Sequence, residues 1–461
     1  MNRRELLKLG AGCAVLPATA AVPPDPPFRH RSYLGWITDL SSRPDTNAAW
    51  PSMRLDDTLL NDYERSFAVM EKLGFNEIVI WGLYVANDWP LDIESCVTPE
   101  RGKKVERLLA SARRHRLKVL NGLGVYSWGY ATIIKANPHL NRGNPNAMCA
   151  SEPDSWKWMQ RILEFTFKRF PLDGASMQSA DRGRCSCVRC SRWTDAEYHS
   201  RINIMTADFI RSKWKDKIIG VSGWGMKFED PANWPPVAAL SEHIDYIIDV
   251  DNGSQRRDPS NRRKFIAQLK CDYGSLGGLQ VEPPQHWERE RWFLPTAENG
   301  GKHLAALRAD GGRVCEYFYH ILDNPGDEVS MWVEGKCLSQ PDVSWRDHLR
   351  SSVGELYRVQ NNSVLDGLCE AFLTAENAYM KFIPDRTSGT ISMEPLVSSN
   401  PGPPVYLSKR LNAEQRASYN TSLEKVAGDF TKLMPATPEK ARVAKILRCI
   451  ANVQKDLASL A

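Results

Sequence analysis

The sequence predicts a (β/α)8 barrel followed by a C-terminal helical region. Three observations carry that expectation. Eight short apolar runs alternate with helix-period segments over about 300 residues, the usual span of such a barrel. The runs are apolar on both faces, as strands covered inside and outside must be. No Gly-rich phosphate loop follows the first run, which disfavours a doubly wound open sheet.

The elements follow in order. "YLGWITDL" (33–40) reads as the first strand. "LLNDYERSFAVMEKLGF" is a helix with Gly74 placed to cap it. "NEIVIWGLYV" is the second strand, and "PERGKKVERLLASARRHRL" is a helix with proline at its start. "KVLNGLGVYSWGY" is the third strand, and the next helix opens near Ser151, an N-cap residue type. "LDGASMQSA" is the fourth strand, "DAEYHSRINIMTADFIRSKW" a helix, and "KIIGVSGWGM" the fifth strand. "DYIIDVD" is the sixth, "SNRRKFIAQLK" a helix, and "LGGLQVE" (276–282) the seventh. "GGKHLAALRADGG" is helical and "RVCEYFYH" is the eighth strand. This places the barrel over 28–345. A helical region follows over 346–461, interrupted by a Pro/Ser/Gly-rich loop near 384–404 of the kind used as a lid or linker.

Ahead of the barrel, residues 1–22 read as an address. Arg3 and Arg4 precede a short apolar run, and Ala18-Thr19-Ala20 makes a cleavage site. This resembles a twin-arginine export signal, so a periplasmic or secreted protein is expected. No later apolar run reaches the ~18 residues that span a bilayer. A net charge of +5 over 461 residues gives no dense basic face, so nucleic acid is not an expected partner. Oligomeric state is not encoded in any pattern here.

In such a barrel the active site lies at the C-terminal ends of the strands. The residues there are Asp39, then Trp81 with Tyr84, then Tyr126 with Trp128, then Gln178 and Asp181. Trp224, Asp249 with Asp251, Glu282 and finally Glu316 with His320 complete the rim. Carboxylates among aromatic rings suit a carbohydrate, whose apolar faces stack on Trp and Tyr. Cleaving a glycosidic bond needs one carboxyl to protonate the leaving oxygen and a second to meet the anomeric carbon. Asp181 is the expected acid, with Glu282 and Glu316 competing for the second role. Asp39, Trp81, Tyr126, Trp128, Arg182, Trp224, Asp249 and His320 are the expected substrate contacts. A glycan-binding barrel without chemistry, or a sugar lyase or isomerase using His286 or His320, are the competing readings. The basic run 255–264 is either a grip for an acidic sugar or a solvated helix start.

Cys185, Cys187 and Cys190 form C-x-C-x2-C directly after the expected acid. Three thiolates want a fourth ligand to close a tetrahedral zinc site, and Cys149 precedes the helix leading into the fourth strand. A structural zinc is therefore expected. Disulfides are the alternative in an exported protein. A twin-arginine route, which carries proteins already folded in a reducing cytoplasm, tilts the choice toward metal.

The series "NAMCASEPDSW", "DGASMQSADRGRCSCVRC" and "GGRVCEYFYH" resembles a group of bacterial barrel proteins similar to alpha-glucuronidases and family 20 hexosaminidases. The resemblance covers most of the barrel and the helices after it. It implies carbohydrate processing, with Asp181, Glu316 and the four cysteines at the group's marked positions. Two departures stand out. The group's usual Asn-Asp-Gly is here Ala180-Asp181-Arg182-Gly183, and no Asp-Glu pair ends the fourth strand, which argues against acetamido participation.

Overall fold

The computed structural model describes residues 28–37, 55–85, 88–250, 259–280, 290, 292–318, 324–382, 391–392 and 411–459. The N-terminal address and most of the 384–404 loop lie outside them, as do Asp39, Asp251, Glu282, His286 and His320.

Eight parallel strands close into a barrel. The chain runs β1 (His30–Trp36), α1 (Asp57–Leu73), β2 (Glu77–Trp81), α2 (Pro99–Arg114), β3 (Lys118–Gly124), α3 (Ala131–Ala136), α4 (Pro153–Arg169) and β4 (Gly174–Gln178). It continues with α5 (Val188–Ser191), α6 (Asp195–Lys213), β5 (Ile218–Ser222), α7 (Trp234–Ser241), β6 (Tyr246–Asp249), α8 (Pro259–Ile266) and β7 (Asp272–Gly277). After the short β8 (Leu279–Gln280) come α9 (Ala297–Ala309), β9 (Val314–Phe318) and α10 (Pro325–Ser339). The barrel order is β1 to β7 and then β9, which pairs back onto β1 with Ser32 opposite Glu316.

Helix ends follow local chemistry. Asp56 accepts the Leu59 amide to start α1, and Gly74 ends it in the left-handed region at φ 81°, where a side chain would be strained. Thr194 and Glu197 form a reciprocal capping box on α6. Ser151 does not cap α4, which begins at Pro153 with Glu152 before it. The Ser151 hydroxyl instead lies 3.1 Å from Cys190 Sγ. The seventh strand runs through "DYGSLG" rather than 276–282. Gly278, at φ 78°, breaks it, and Leu279–Gln280 pairs with β10 (Ile391–Ser392) in a separate two-stranded ribbon.

Alternation along the strands divides two apolar layers. Leu34, Val79, Trp81, Leu120, Tyr246, Ile248, Leu276 and Val314 fill the barrel interior, while their neighbours in sequence pack under the helices. Glycines make room inside. The Trp81 ring lies where a Gly122 side chain would be. Gly122→Ala is therefore expected to cost about 1–3 kcal/mol by overpacking, seen as a lowered urea midpoint with unchanged slope.

Beyond the barrel, α11 (Trp345–Tyr357), α12 (Asn362–Met380), α13 (Ala413–Leu433) and α14 (Lys440–Ala458) pack on its flank. Phe293, Phe372 and Phe430 form a ring triangle with centroids 5.2–6.0 Å apart. Glu376 of α12 accepts the Glu298 and Asn299 amides at 2.9 and 2.7 Å, capping α9 from outside the barrel. Among the described residues, no helix is long and apolar enough to cross a membrane.

Candidate active site

The loop leaving β4 sits on the C-terminal face and is held from three sides. Ala180 N–H bonds back to Gln178 Oε1 at 2.9 Å, which turns the chain outward at the strand end. The Arg182 amide donates to Ser127 Oγ at 2.7 Å, tying the loop to the one after β3. Gln178 Nε2 donates to Ser222 Oγ at 3.1 Å, and Gly225 packs against the Ala180 methyl, tying it to the loop after β5. Asp181 stands between these ties. Its carboxylate keeps 30% exposure and lies 3.5 Å from the Arg182 guanidinium. Burial raises its pKa above the usual carboxylate range, and Arg182 pulls only partly the other way.

The aromatic groups converge here unevenly. Trp81 and Trp128 meet edge to face, centroids 5.2 Å apart, over the top of the barrel interior. Trp224 is 44% exposed beside the Gly225 contact, a ring surface open to a ligand. Tyr126 and Trp128 both adopt positive φ, 60° and 64°, a conformation bulky residues rarely hold. Such strain gathers where a loop must present particular groups.

Other expected contacts sit elsewhere. Tyr126 is buried within the packing beneath the strand-three loop, not on the rim. Asp249 faces outward: Tyr246 and Ile248 point into the barrel, so Asp249 turns toward the helices and accepts from Tyr273 OH at 2.7 Å. Arg182, by contrast, stays on the rim beside Asp181.

Glu316 lies inside the barrel, in the layer below Gln178 and Trp81. Val314 and Glu316 face inward, Cys315 and Tyr317 outward. Ser176 and Tyr246 hydroxyls both donate to Glu316 Oε1, at 3.0 and 3.1 Å. Burial pushes its pKa up to about 7, against the pull of those two bonds, with Glu77 adding to the rise and His30 opposing it. Nearby, His30 Nδ1 is 2.8 Å from Glu77 Oε1, and Ser32 donates to Glu77 Oε2 at 3.1 Å. Two hydrogen-bonded groups thus lie side by side, Glu77 with His30 and Ser32, and Glu316 with Ser176 and Tyr246, the His30 and Tyr246 rings being 4.7 Å apart. Sequence reasoning missed Glu77 and His30, because both stand at strand starts. A further buried group, Ser179 with His199 and Asn203, braces the β4 turn from behind. Burial lowers the His199 pKa to about 4, so the ring is neutral at physiological pH.

The four cysteines meet. Cys149 Sγ is 3.7 Å from Cys187 Sγ and 3.9 Å from Cys190 Sγ, and all four sulfurs lie within 4.8 Å of one another. None is bonded to another. Burial opposes ionisation of Cys187, but hydrogen bonds from the Cys190 amide and the neighbouring thiols outweigh it and bring the pKa to about 6.

No protein-family model matches the chain, and no curated protein sequence matches it. Solved structures do. A GH138 enzyme targeting pectin rhamnogalacturonan II superposes with a TM-score of 0.60 at 10% identity, covering 94% of this chain. This chain spans 57% of that enzyme's length. An O-GlcNAc hydrolase of Thermobaculum terrenum superposes with a TM-score of 0.50 at 10% identity, covering 91% of this chain and 80% of the other. At such identity the likeness is one of fold: a (β/α)8 barrel with appended helices, in an arrangement that these glycoside hydrolases share.

Proposed function

We propose that the protein is an exported glycoside hydrolase acting on an oligo- or polysaccharide, with Asp181 as general acid. One observation carries this reading. Among the described residues, Asp181 is the carboxyl on the C-terminal face that is at once reachable, partly desolvated and fixed from three sides, with the Trp128 and Trp224 loops on either flank. An acid with a raised pKa keeps its proton nearer neutral pH, where it can deliver it to the leaving oxygen. Trp128 and Trp224 would offer ring faces to the sugar, with Trp81 packed beneath Trp128. Glu316 would supply the second carboxylate from the floor of the site, with Glu282 as its rival. Arg182, beside the acid, favours a substrate carrying negative charge, and the pectin-targeting enzyme of the same fold makes pectic fragments the first to try.

The test is incubation of purified protein with pectic, other uronic-acid, neutral and acetamido oligosaccharides, products read by mass spectrometry. Products that have gained one water support hydrolysis. Unsaturated products lacking that water would assign a lyase instead. Binding of a glycan that stays intact would favour a capture protein.

A further inference from the structure

The arrangement of the four sulfurs points to more than a packed cluster. Thiolates around zinc at ~2.3 Å stand about 3.8 Å apart along each tetrahedral edge. The Cys149–Cys187 and Cys149–Cys190 separations, 3.7 and 3.9 Å, match that edge without any movement. Disulfide sulfurs would sit at about 2 Å, and close-packed apolar thiols have no reason to converge as a group of four. The surroundings also fit. Taking up Zn²⁺ displaces four thiol protons and leaves a net charge of −2 on the centre. The Ser151 hydroxyl, 3.1 Å from Cys190 Sγ, is placed to donate to a thiolate. Arg142 and Arg189, which share Glu152, and Arg184, paired with Asp195 while its Nη1 donates to Cys190 O at 3.1 Å, place three guanidinium groups against two carboxylates at the same corner.

We propose that Cys149, Cys185, Cys187 and Cys190 hold one zinc ion, and that this ion sets the position of the β4 loop on the C-terminal face. The ion would join the segment before α4 to the segment after β4. Protein groups reinforce the same joint. Asn144 Nδ2 donates to Arg182 O at 2.8 Å and to Arg184 O at 3.3 Å, and Gly143 packs against Ser186. Asp181 lies four residues before Cys185, so the clip limits how far its loop can swing. Cys185 and Cys190 are buried while Val188 between them is 92% exposed, the form of a short knuckle folded around its own ligands. The proposal concerns loop position and stands whether or not the protein cleaves glycans.

The test uses the full chain purified from cells grown with added zinc. Elemental analysis is expected to find about one zinc per chain, and a thiol reagent is expected to find these four cysteines unreactive until a chelator removes the metal. After removal, limited proteolysis should cut within 141–193 at least about tenfold faster, while the rest of the barrel keeps its rate, and added zinc should restore protection. Cys187→Ser should lose the zinc and show the same local cutting. Should that variant fail to fold, the zinc content and thiol protection of the wild-type chain still decide the matter. Zinc below a tenth of an equivalent, with the thiols paired as disulfides or freely reactive, overturns the proposal. One equivalent of iron in place of zinc overturns the assignment of the metal. Full zinc with unchanged cutting after its removal overturns the positioning role.

Discussion

Asp181→Asn is expected to lower kcat/KM on the cleaved glycan by roughly a hundred- to ten-thousand-fold, the usual contribution of a general acid. The amide keeps the shape of the carboxyl but has no proton to give. Stability should change little. The side chain is part-exposed, and its charged partner Arg182 is more exposed still, so the lost ion pair is worth no more than about 1 kcal/mol. An aryl glycoside whose leaving group needs no proton should recover most of the rate. Equal losses on natural and activated substrates would make Asp181 the nucleophile rather than the acid. The raised pKa adds a pH signature. Wild-type activity should fall as pH rises through that pKa and the acid ionises, and the Asn variant should lack this limb.

Glu316→Gln should separate from wild type in a pH-dependent way. In the folded barrel this carboxyl holds its proton up to about 7. In the unfolded chain it gives the proton up near ~4.3. Between those values folding takes up a proton, so stability declines as pH rises, by at most about 3–4 kcal/mol for the whole gap. Glutamine carries no such penalty, and its carbonyl can still accept from Ser176 and Tyr246. Glu77 and His30 lie beside this group in both proteins, so their contribution largely cancels in the comparison. The variant is therefore expected to match wild type near pH 5 and to exceed it by about 1–3 kcal/mol at pH 8, measured by urea unfolding. Parallel stability curves would mean that Glu316 ionises freely in the folded state. If Glu316 also serves as the second carboxylate, the same variant loses activity while gaining stability, a trade seen where function keeps an ill-solvated group in place.

The barrel was legible because its strands are short, apolar and regularly spaced, and because helix ends carry local signals. Gly74 and Pro99 both act at the range of one turn. The seventh strand was misplaced because "DYGSLG" carries two glycines and a serine, and at Gly274 the neighbouring Val314 leaves no room for a side chain. Asp249 was misassigned for another reason. A strand-end acid faces the barrel or the helices according to parity, and only the register with Tyr246 and Ile248 decides which. Ser151 looked like a cap from its sequence, but the sulfur cluster competes for its hydroxyl. The convergence of Cys149 on the C-x-C-x2-C run could be expected, since both flank one helix–strand passage. The juxtaposition of Glu316 with Glu77 could not. Those residues are far apart in the chain and are joined only by closure of the barrel.

That contrast bears on how the molecule is made. The four sulfurs come from one unbroken stretch, 149–190, which carries only α4, β4 and α5 between them. Contacts of short sequence separation form early, whereas the seam between β1 and β9 joins residues from opposite ends of the barrel and must wait for nearly all of it. On a ribosome, the clasp can close while the strands after β5 are still unsynthesised. The loop bearing Asp181 would then take its shape as a local unit, and the barrel would later close around a corner already built.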